Sequence, residues 1–341
     1  MEPTWLQFIW YFLFVVLIIG YSVLDGFDLG VGVLSLFNGN AKERRLYINA
    51  VAPVWDGNEV WLLTGGGALF AAFPAVYATV FSGFYLALML VLLGLIARAV
   101  SMEFRSKVDS PRWQALWDRV FGIGSLLPAL LFGVAVGNLL RGIPLTADGE
   151  FAGNFLGLLN PFSLLVGMLS LTMFVTHGAL FMAGKTAGSL RDRLLRTASQ
   201  GWSAWVLLLV AANLYGLFDA PHLFAGAYSN PWLWVLFFAL LIALIYLPVP
   251  IRLQKPGRAL MISAGAIVVT IAQAATALYP RLVPARNAEE LSLTIMNASS
   301  SPRTLSTMLV IALIGMPLVI AYTIFIYRVF KGRLVLDEYS Y

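Results

Sequence analysis

The sequence predicts an all-α integral membrane protein with nine transmembrane helices, the N-terminus outside and the C-terminus in the cytoplasm. Three observations predict it. Of 341 residues, 60% are hydrophobic and only 11% are charged, far from the makeup of a soluble domain. The apolar residues gather into nine runs, each close to the roughly 20 helical residues that cross a hydrocarbon core of about 30 Å. The bases alternate between links: of 22 Lys and Arg, seventeen follow odd-numbered runs or lie at the C-terminal end from Arg328 on, four follow even-numbered runs, and Arg98 alone lies within a run away from the C-terminal end. The positive-inside rule turns that alternation into an orientation and requires an odd number of spans.

The runs lie near 6–36, 50–72, 76–101, 120–140, 161–184, 202–218, 232–249, 259–279 and 304–330, and together make residues 1–341 a single transmembrane domain. The first run follows MEPTWLQFIW, which carries an acid and no base; it lacks the basic n-region of a secretory signal and is expected to stay attached. In the second run, Gly65, Gly66 and Gly67 permit a neighbouring helix, internal or from a partner subunit, to approach closely. Trp5, Trp10, Trp202 and Trp232 stand near run ends, as an interfacial aromatic belt requires. The links are short, the longest non-apolar stretch spanning about 280–303, which leaves no room for a soluble catalytic domain. Ser301 before Pro302 fits an N-cap followed by proline at the first helical position of the last span.

Composition excludes several function classes. The formal net charge of +5 sits in short links between apolar runs, where membrane topology explains it and nucleic-acid binding is not implied. The chain has no cysteine, which removes disulfides, thiolate metal sites and iron–sulfur clusters. His177 in the fifth run and His222 in a later outer link are the only histidines, too few for a zinc site or a His-based triad. His177 is weighed as a heme ligand, a proton carrier or a hydrogen-bonded core residue, and His222 as a solvated loop residue.

Two acidic motifs carry the functional signal: LDGFDLG at 24–30 and WDGNEVWL at 55–62. An ionised carboxylate at mid-membrane costs roughly 2.5–3.5 kcal/mol on insertion scales, so such groups face a bundle interior or wet cavity and mark ion or proton routes. Asp25 and Asp28 are three apart, as are Asp56 and Glu59, so each pair shares a helix face. With Arg98 and Glu103 late in the third run, all six groups are expected in the cytoplasmic half of the bundle. Like charges this close cannot all remain ionised; a carboxyl is protonated or a cation sits among them. Ser22, Asn58, Thr64 and Ser101 could extend the polar line. A helix-end reading, in which the first span stops near Leu24 and its acids meet water, has against it the apolar run resuming at Leu29, Val31, Val33 and Leu34.

Beyond these motifs the chain resembles subunit II of the cytochrome bd family of quinol oxidases, which includes cyanide-insensitive oxidases. The stretches that carry the resemblance are GYSVLDGFDLGVG, WDGNEVWLLTGGGALFAAFPAVYA into FSGFYLALML, ARAVSMEFR, and LTIMNASSS with TLSTML. They run from the first span to the last. The resemblance implies two four-helix bundles plus one peripheral helix in the bacterial cytoplasmic (inner) membrane. It implies a heme-free subunit of an electrogenic quinol:oxygen oxidoreductase, partnered by a subunit I that holds hemes b and d, or b only. It places Asp25, Asp28, Asp56, Glu59, Arg98 and Glu103 on a proton-uptake path, with no catalytic, cofactor or metal residue in this chain. Ubiquinol or menaquinol, a small third subunit, and a structural quinone or lipid in the bundle are left undecided. The competing reading from another class is a stand-alone cation-coupled secondary transporter built on the same acids.

Overall fold

A computed structural model describes residues 3–226 and 229–334. Twelve α-helices account for most of them: α1 (Trp5–Ser35), α2 (Ala41–Val51), α3 (Trp55–Ala72), α4 (Pro74–Gly83), α5 (Tyr85–Phe104), α6 (Pro111–Arg141), α7 (Pro161–Lys185), α8 (Gly188–Asp219), α9 (Pro231–Tyr246), α10 (Pro248–Arg252), α11 (Pro256–Leu278) and α12 (Pro302–Val329). Among the described residues, eight helical segments are long and apolar enough to cross a membrane: α1, α5, α6, α7, α8, α9 with α10, α11 and α12. The expected second span is α3, whose 18 residues open on Trp55, Asp56, Gly57, Asn58 and Glu59. Its polar first turns keep it outside that group of eight.

Helix boundaries depart from the apolar runs in several places, among them α6, which begins at Pro111 rather than near 120. The third run is interrupted, α4 ending and α5 beginning around Phe84 at φ −101° and ψ 18°. α8 starts at Gly188, well before its apolar run, because Leu190, Leu194, Leu195 and Ala198 keep one buried face through a stretch whose other face carries Arg191, Arg193 and Arg196. α2 is a polar helix that no apolar run announces; Asn40 caps it, its side chain accepting from the amides of Lys42 and Glu43. At the other end of the molecule, Ser301 caps α12 by accepting from the Thr304 amide, with Pro302 at the first position.

α1 is the central element. Thr4 and Gln7 close a capping box at its start, and 31 residues at about 1.5 Å each carry it past a hydrocarbon core. It packs against α3, α6, α7 and α11, while α12 makes its main helix contacts with α1 and α3. The α1–α7 crossing is backbone on backbone: a Cβ on Gly30 would stand 1.9 Å from the Phe174 carbonyl oxygen and 3.2 Å from the Gly178 Cα. Of the triple glycine, a Cβ on Gly65 would touch Leu17 and Ile18 of α1, whereas a Cβ on Gly66 or Gly67 would meet no other part of the described chain within 4 Å. Only the first of the three serves internal packing.

The 280–303 segment forms a short antiparallel pair, β1 (Arg281–Val283) and β2 (Leu293–Thr294), and then ties helix ends together. Ser300 bonds the Ala72 carbonyl through its amide (2.8 Å) and the Ala71 carbonyl through its hydroxyl (2.6 Å), while Gln7 donates to Ser299 at 2.7 Å. Apolar packing gathers into two large clusters. One, at the hairpin end, includes Trp10, Phe73, Phe84, Val283 and Leu305. The other, at the α2 end, includes Phe27, Leu29, Val31, Tyr47 and Phe181. The polar cluster described next belongs to the α2 half of the molecule.

Candidate functional site

α1 runs on for seven residues past Asp28, so Asp25 and Asp28 are interior rather than terminal, 0% and 1% exposed. Burying two carboxyls without partners would cost several kcal/mol each, and three other helices supply partners. From α5, Arg98, itself 1% exposed, sends Nη2 to Asp25 Oδ1 at 2.8 Å and to Glu59 Oε1 of α3 at 2.6 Å. From α3, Asn58 Nδ2 donates to Asp28 Oδ2 at 2.7 Å and to the Leu24 carbonyl at 3.1 Å. From α12, the Tyr327 hydroxyl donates to Asn58 Oδ1 at 3.0 Å.

Two carboxyls thus share one guanidinium, a third is held by Asn58, and the cluster is incompletely paired. Asp25 Oδ2, Asp28 Oδ1, Arg98 Nε and Nη1, and the Tyr21 hydroxyl are buried without a hydrogen-bond partner among the described residues. Each aspartate therefore has one oxygen anchored and one not. No group of three or more His, Cys, Asp or Glu side chains able to hold a metal occurs among the described residues.

Four of the six residues singled out from sequence meet here: Asp25, Asp28, Glu59 and Arg98. The other two do not. Asp56 is exposed in the first turn of α3, one turn before the half-buried Glu59, and Glu103 is exposed in the last turn of α5. Of the suggested extensions, Asn58 is in the cluster and Ser22 is buried beside it in α1. Ser101 bonds back to the Arg98 carbonyl at 2.6 Å. Thr64 points away, exposed, and bonds its own helix at Val60.

A second buried charge group lies nearer the α2 end. Asp118 of α6 is 5% exposed and accepts from Arg105 Nε at 2.6 Å and Arg44 Nε at 2.8 Å. Arg44 also donates to the Asn38 carbonyl, and Asn38 to Glu43, whose carboxylate pairs with Arg193 of α8. Partial burial pushes the Glu43 carboxyl up, but hydrogen bonds from Arg193 and Asn38 outweigh it and leave its pKa below the ordinary value. This network ties α2, α5, α6 and α8 together.

Both ring nitrogens of His177 are committed, Nδ1 to the Ser263 hydroxyl at 2.6 Å and Nε2 to the Val23 carbonyl at 3.1 Å. That leaves neither for a metal and identifies it as a hydrogen-bonded core residue joining α7, α1 and α11. His222 lies in the turn Pro221–Leu223, where burial and then Arg281 hold its pKa below the ordinary value. Sequence reasoning missed Tyr327 and Asp118 as cluster members. Asp118 sits in the polar first turns of α6; Tyr327 has no signal at all, being one aromatic among many near the end of an apolar run.

The chain matches the family "Cytochrome bd terminal oxidase subunit II" over residues 6–330. It belongs to that family. "Cytochrome bd-I ubiquinol oxidase subunit 2" of Escherichia coli (strain K12) is 38% identical over 98% of this chain and 96% of its own length. "Cytochrome bd ubiquinol oxidase subunit 2" of Bacillus subtilis (strain 168) is 36% identical over 95% and 96%. A chain from "The structure of bd oxidase from Geobacillus thermodenitrificans" superimposes with a TM-score of 0.79, covering 96% of this chain and 99% of that one at 18% identity, which is a likeness of fold. As a subunit II chain, the molecule is a multi-pass membrane protein; its clustered acids sit in the first and second expected spans, and the third supplies the base Arg98.

Proposed function

We propose that this chain is the heme-free subunit II of a quinol:oxygen oxidoreductase that reduces oxygen to water, paired in the bacterial cytoplasmic membrane with a heme-bearing subunit I. The reading carries over, from relatives matched along almost their whole length, the activity in their names. The committed nitrogens of His177 support the heme-free assignment. α3 makes the ninth crossing, lined along α1, which satisfies the odd number that the distribution of bases demands. The helices divide into two four-helix bundles, with the remaining helix peripheral. α12, where only Leu305 is buried among the described residues, is left to face lipid or the partner. Gly66, Gly67, Tyr21 and Phe132 line an apolar groove of about 1330 Å³, room for a lipid or quinone tail.

The cluster around Arg98 takes up protons from the cytoplasm for oxygen reduction in the partner, where the hemes supply electrons. Asp56 and Glu103 collect protons at the surface, Glu59 relays them one helical turn inward, and Asp25 and Asp28 exchange them at their unanchored oxygens. Arg98 holds Asp25 and Glu59 in register without leaving the site. Uptake from the inner face moves charge against the membrane potential at about 2.3 kcal/mol per charge per 100 mV, which makes the complex electrogenic without a separate pump.

The observation that carries the assignment is the full-length family match, and purification tests it. A tag on this chain in its native membrane, after mild detergent extraction, is expected to retain a heme-bearing partner, show heme bands in a reduced-minus-oxidised spectrum and consume oxygen when given quinol. A heme-free chain, stable alone and driving cation-coupled uptake in proteoliposomes, would overturn the assignment in favour of a transporter.

A further inference from the structure

The polar cluster has a branch that its ion pairs do not explain. Asn58 is 1% exposed and every polar atom of its amide is used: Nδ2 donates to the Leu24 carbonyl and to Asp28 Oδ2, and Oδ1 accepts from the Tyr327 hydroxyl. The chemistry fixes which end of the amide is which. A backbone carbonyl can only accept, so the atom facing Leu24 must be the NH2 group, and the atom facing Tyr327 must be the oxygen. The tyrosine hydroxyl is then the donor, and Asp28 Oδ2 accepts from Asn58.

The consequence falls on the other oxygen of Asp28. With Oδ2 anchored, Oδ1 is the oxygen left without a partner. The ring of Tyr327 is held independently of its hydroxyl, standing edge-on to Phe27 with centroids 6.3 Å apart, and Phe27 in turn stacks on Phe181 at 4.0 Å. Packing therefore places the ring, and the hydroxyl is available to place something else.

We propose that Tyr327 is a positioning residue for Asp28, acting through the Asn58 amide to hold the carboxyl in the orientation that leaves Oδ1 to exchange the proton. The inference rests on the proton-uptake reading of the cluster. It gives α12, the most exposed helix, a role in proton supply: its one hydroxyl at the cluster orients a carboxyl on α1.

The test uses the purified oxidase complex with three variants, Tyr327→Phe, Asp28→Asn and the double variant, measuring turnover per heme and the KM for quinol. Tyr327→Phe keeps the ring and removes only the donor. It is expected to lower kcat about two- to tenfold, the worth of one neutral hydrogen bond, with KM unchanged and with no further loss when added to Asp28→Asn. Asn58→Ser, which removes the amide that anchors Asp28, is expected to lower kcat at least as far, and normal kcat in it would overturn the inference if Tyr327→Phe proves unstable. Normal kcat in Tyr327→Phe beside a slowed Asp28→Asn would overturn the inference and leave the uptake reading standing. Normal kcat in both would overturn the two together. A loss that adds in full to that of Asp28→Asn would place the action of Tyr327 somewhere other than Asp28, which also overturns it.

Discussion

Arg98→Leu is expected to cost the assembled protein about 3–5 kcal/mol, the range for breaking a buried ion pair by removing one partner. The guanidinium is 1% exposed and bonds two carboxyls at once, one of them at 0% exposure. Leucine would leave Asp25 and Glu59 facing each other with nothing between them. A thermal-denaturation series on the detergent-solubilised complex reads the effect as a large fall in midpoint or a failure to accumulate. Adding Asp25→Asn and Glu59→Gln to the same chain should recover part of the loss, because replacing a whole buried ionic group costs far less than orphaning half of it. An Arg98→Leu protein as stable as the parent would show that the three groups do not interact as their distances require.

Gly30→Val is expected to lie at or above the upper end of the roughly 1–3 kcal/mol that overpacking costs. A clash with a flexible side chain can be relieved by rotation, but the atom in the way here is the Phe174 carbonyl oxygen, 1.9 Å from the new Cβ. α1 and α7 would have to part, and every group on α1 around Asp25 and Asp28 would shift with it. The same denaturation series, with oxygen uptake per heme beside it, should show stability and turnover falling together. Retention of both would mean that the crossing has slack that the contact distances do not suggest.

The candidate site was legible in the sequence for one reason: carboxylates are costly inside apolar runs, so Asp25, Asp28 and Glu59 announce a buried polar cluster before any contact is known. Arg98 was legible as the one base inside a run away from the C-terminal end. What the sequence could not carry was pairing. Nothing in the spacing says that Arg98 takes Asp25 and Glu59 while Asn58 takes Asp28, because α1, α3 and α5 meet only in three dimensions. Asp56 and Glu103 share the motifs of the cluster yet are exposed, since each sits at a helix end where the next turn, not its own, enters the bundle. Tyr327 lies 269 positions from Asn58 and could be found only from coordinates.

The fold was legible to the extent that hydropathy reports hydrocarbon depth. It located the apolar stretches of α1, α6, α7, α9, α11 and α12, and it could not report where helices continue into water. α8 therefore begins earlier than its apolar run, α2 was unseen, and α3 straddles the boundary because its first turns hold the acids that make the site. The break at Phe84 between α4 and α5 has the same origin, as an apolar run is silent about the backbone within it.

If the acids of α1 deliver protons to the oxidase reaction, quinol-driven oxygen uptake per heme in the purified Asp25→Asn complex reads it. Heme content and midpoint temperature must match the parent, so that turnover alone is compared. A fall of about tenfold or more is expected, in the range of a positioned proton-transfer group. Turnover equal to that of the parent, in a complex with full heme content, would contradict the claim and reduce the cluster to a structural ion pair.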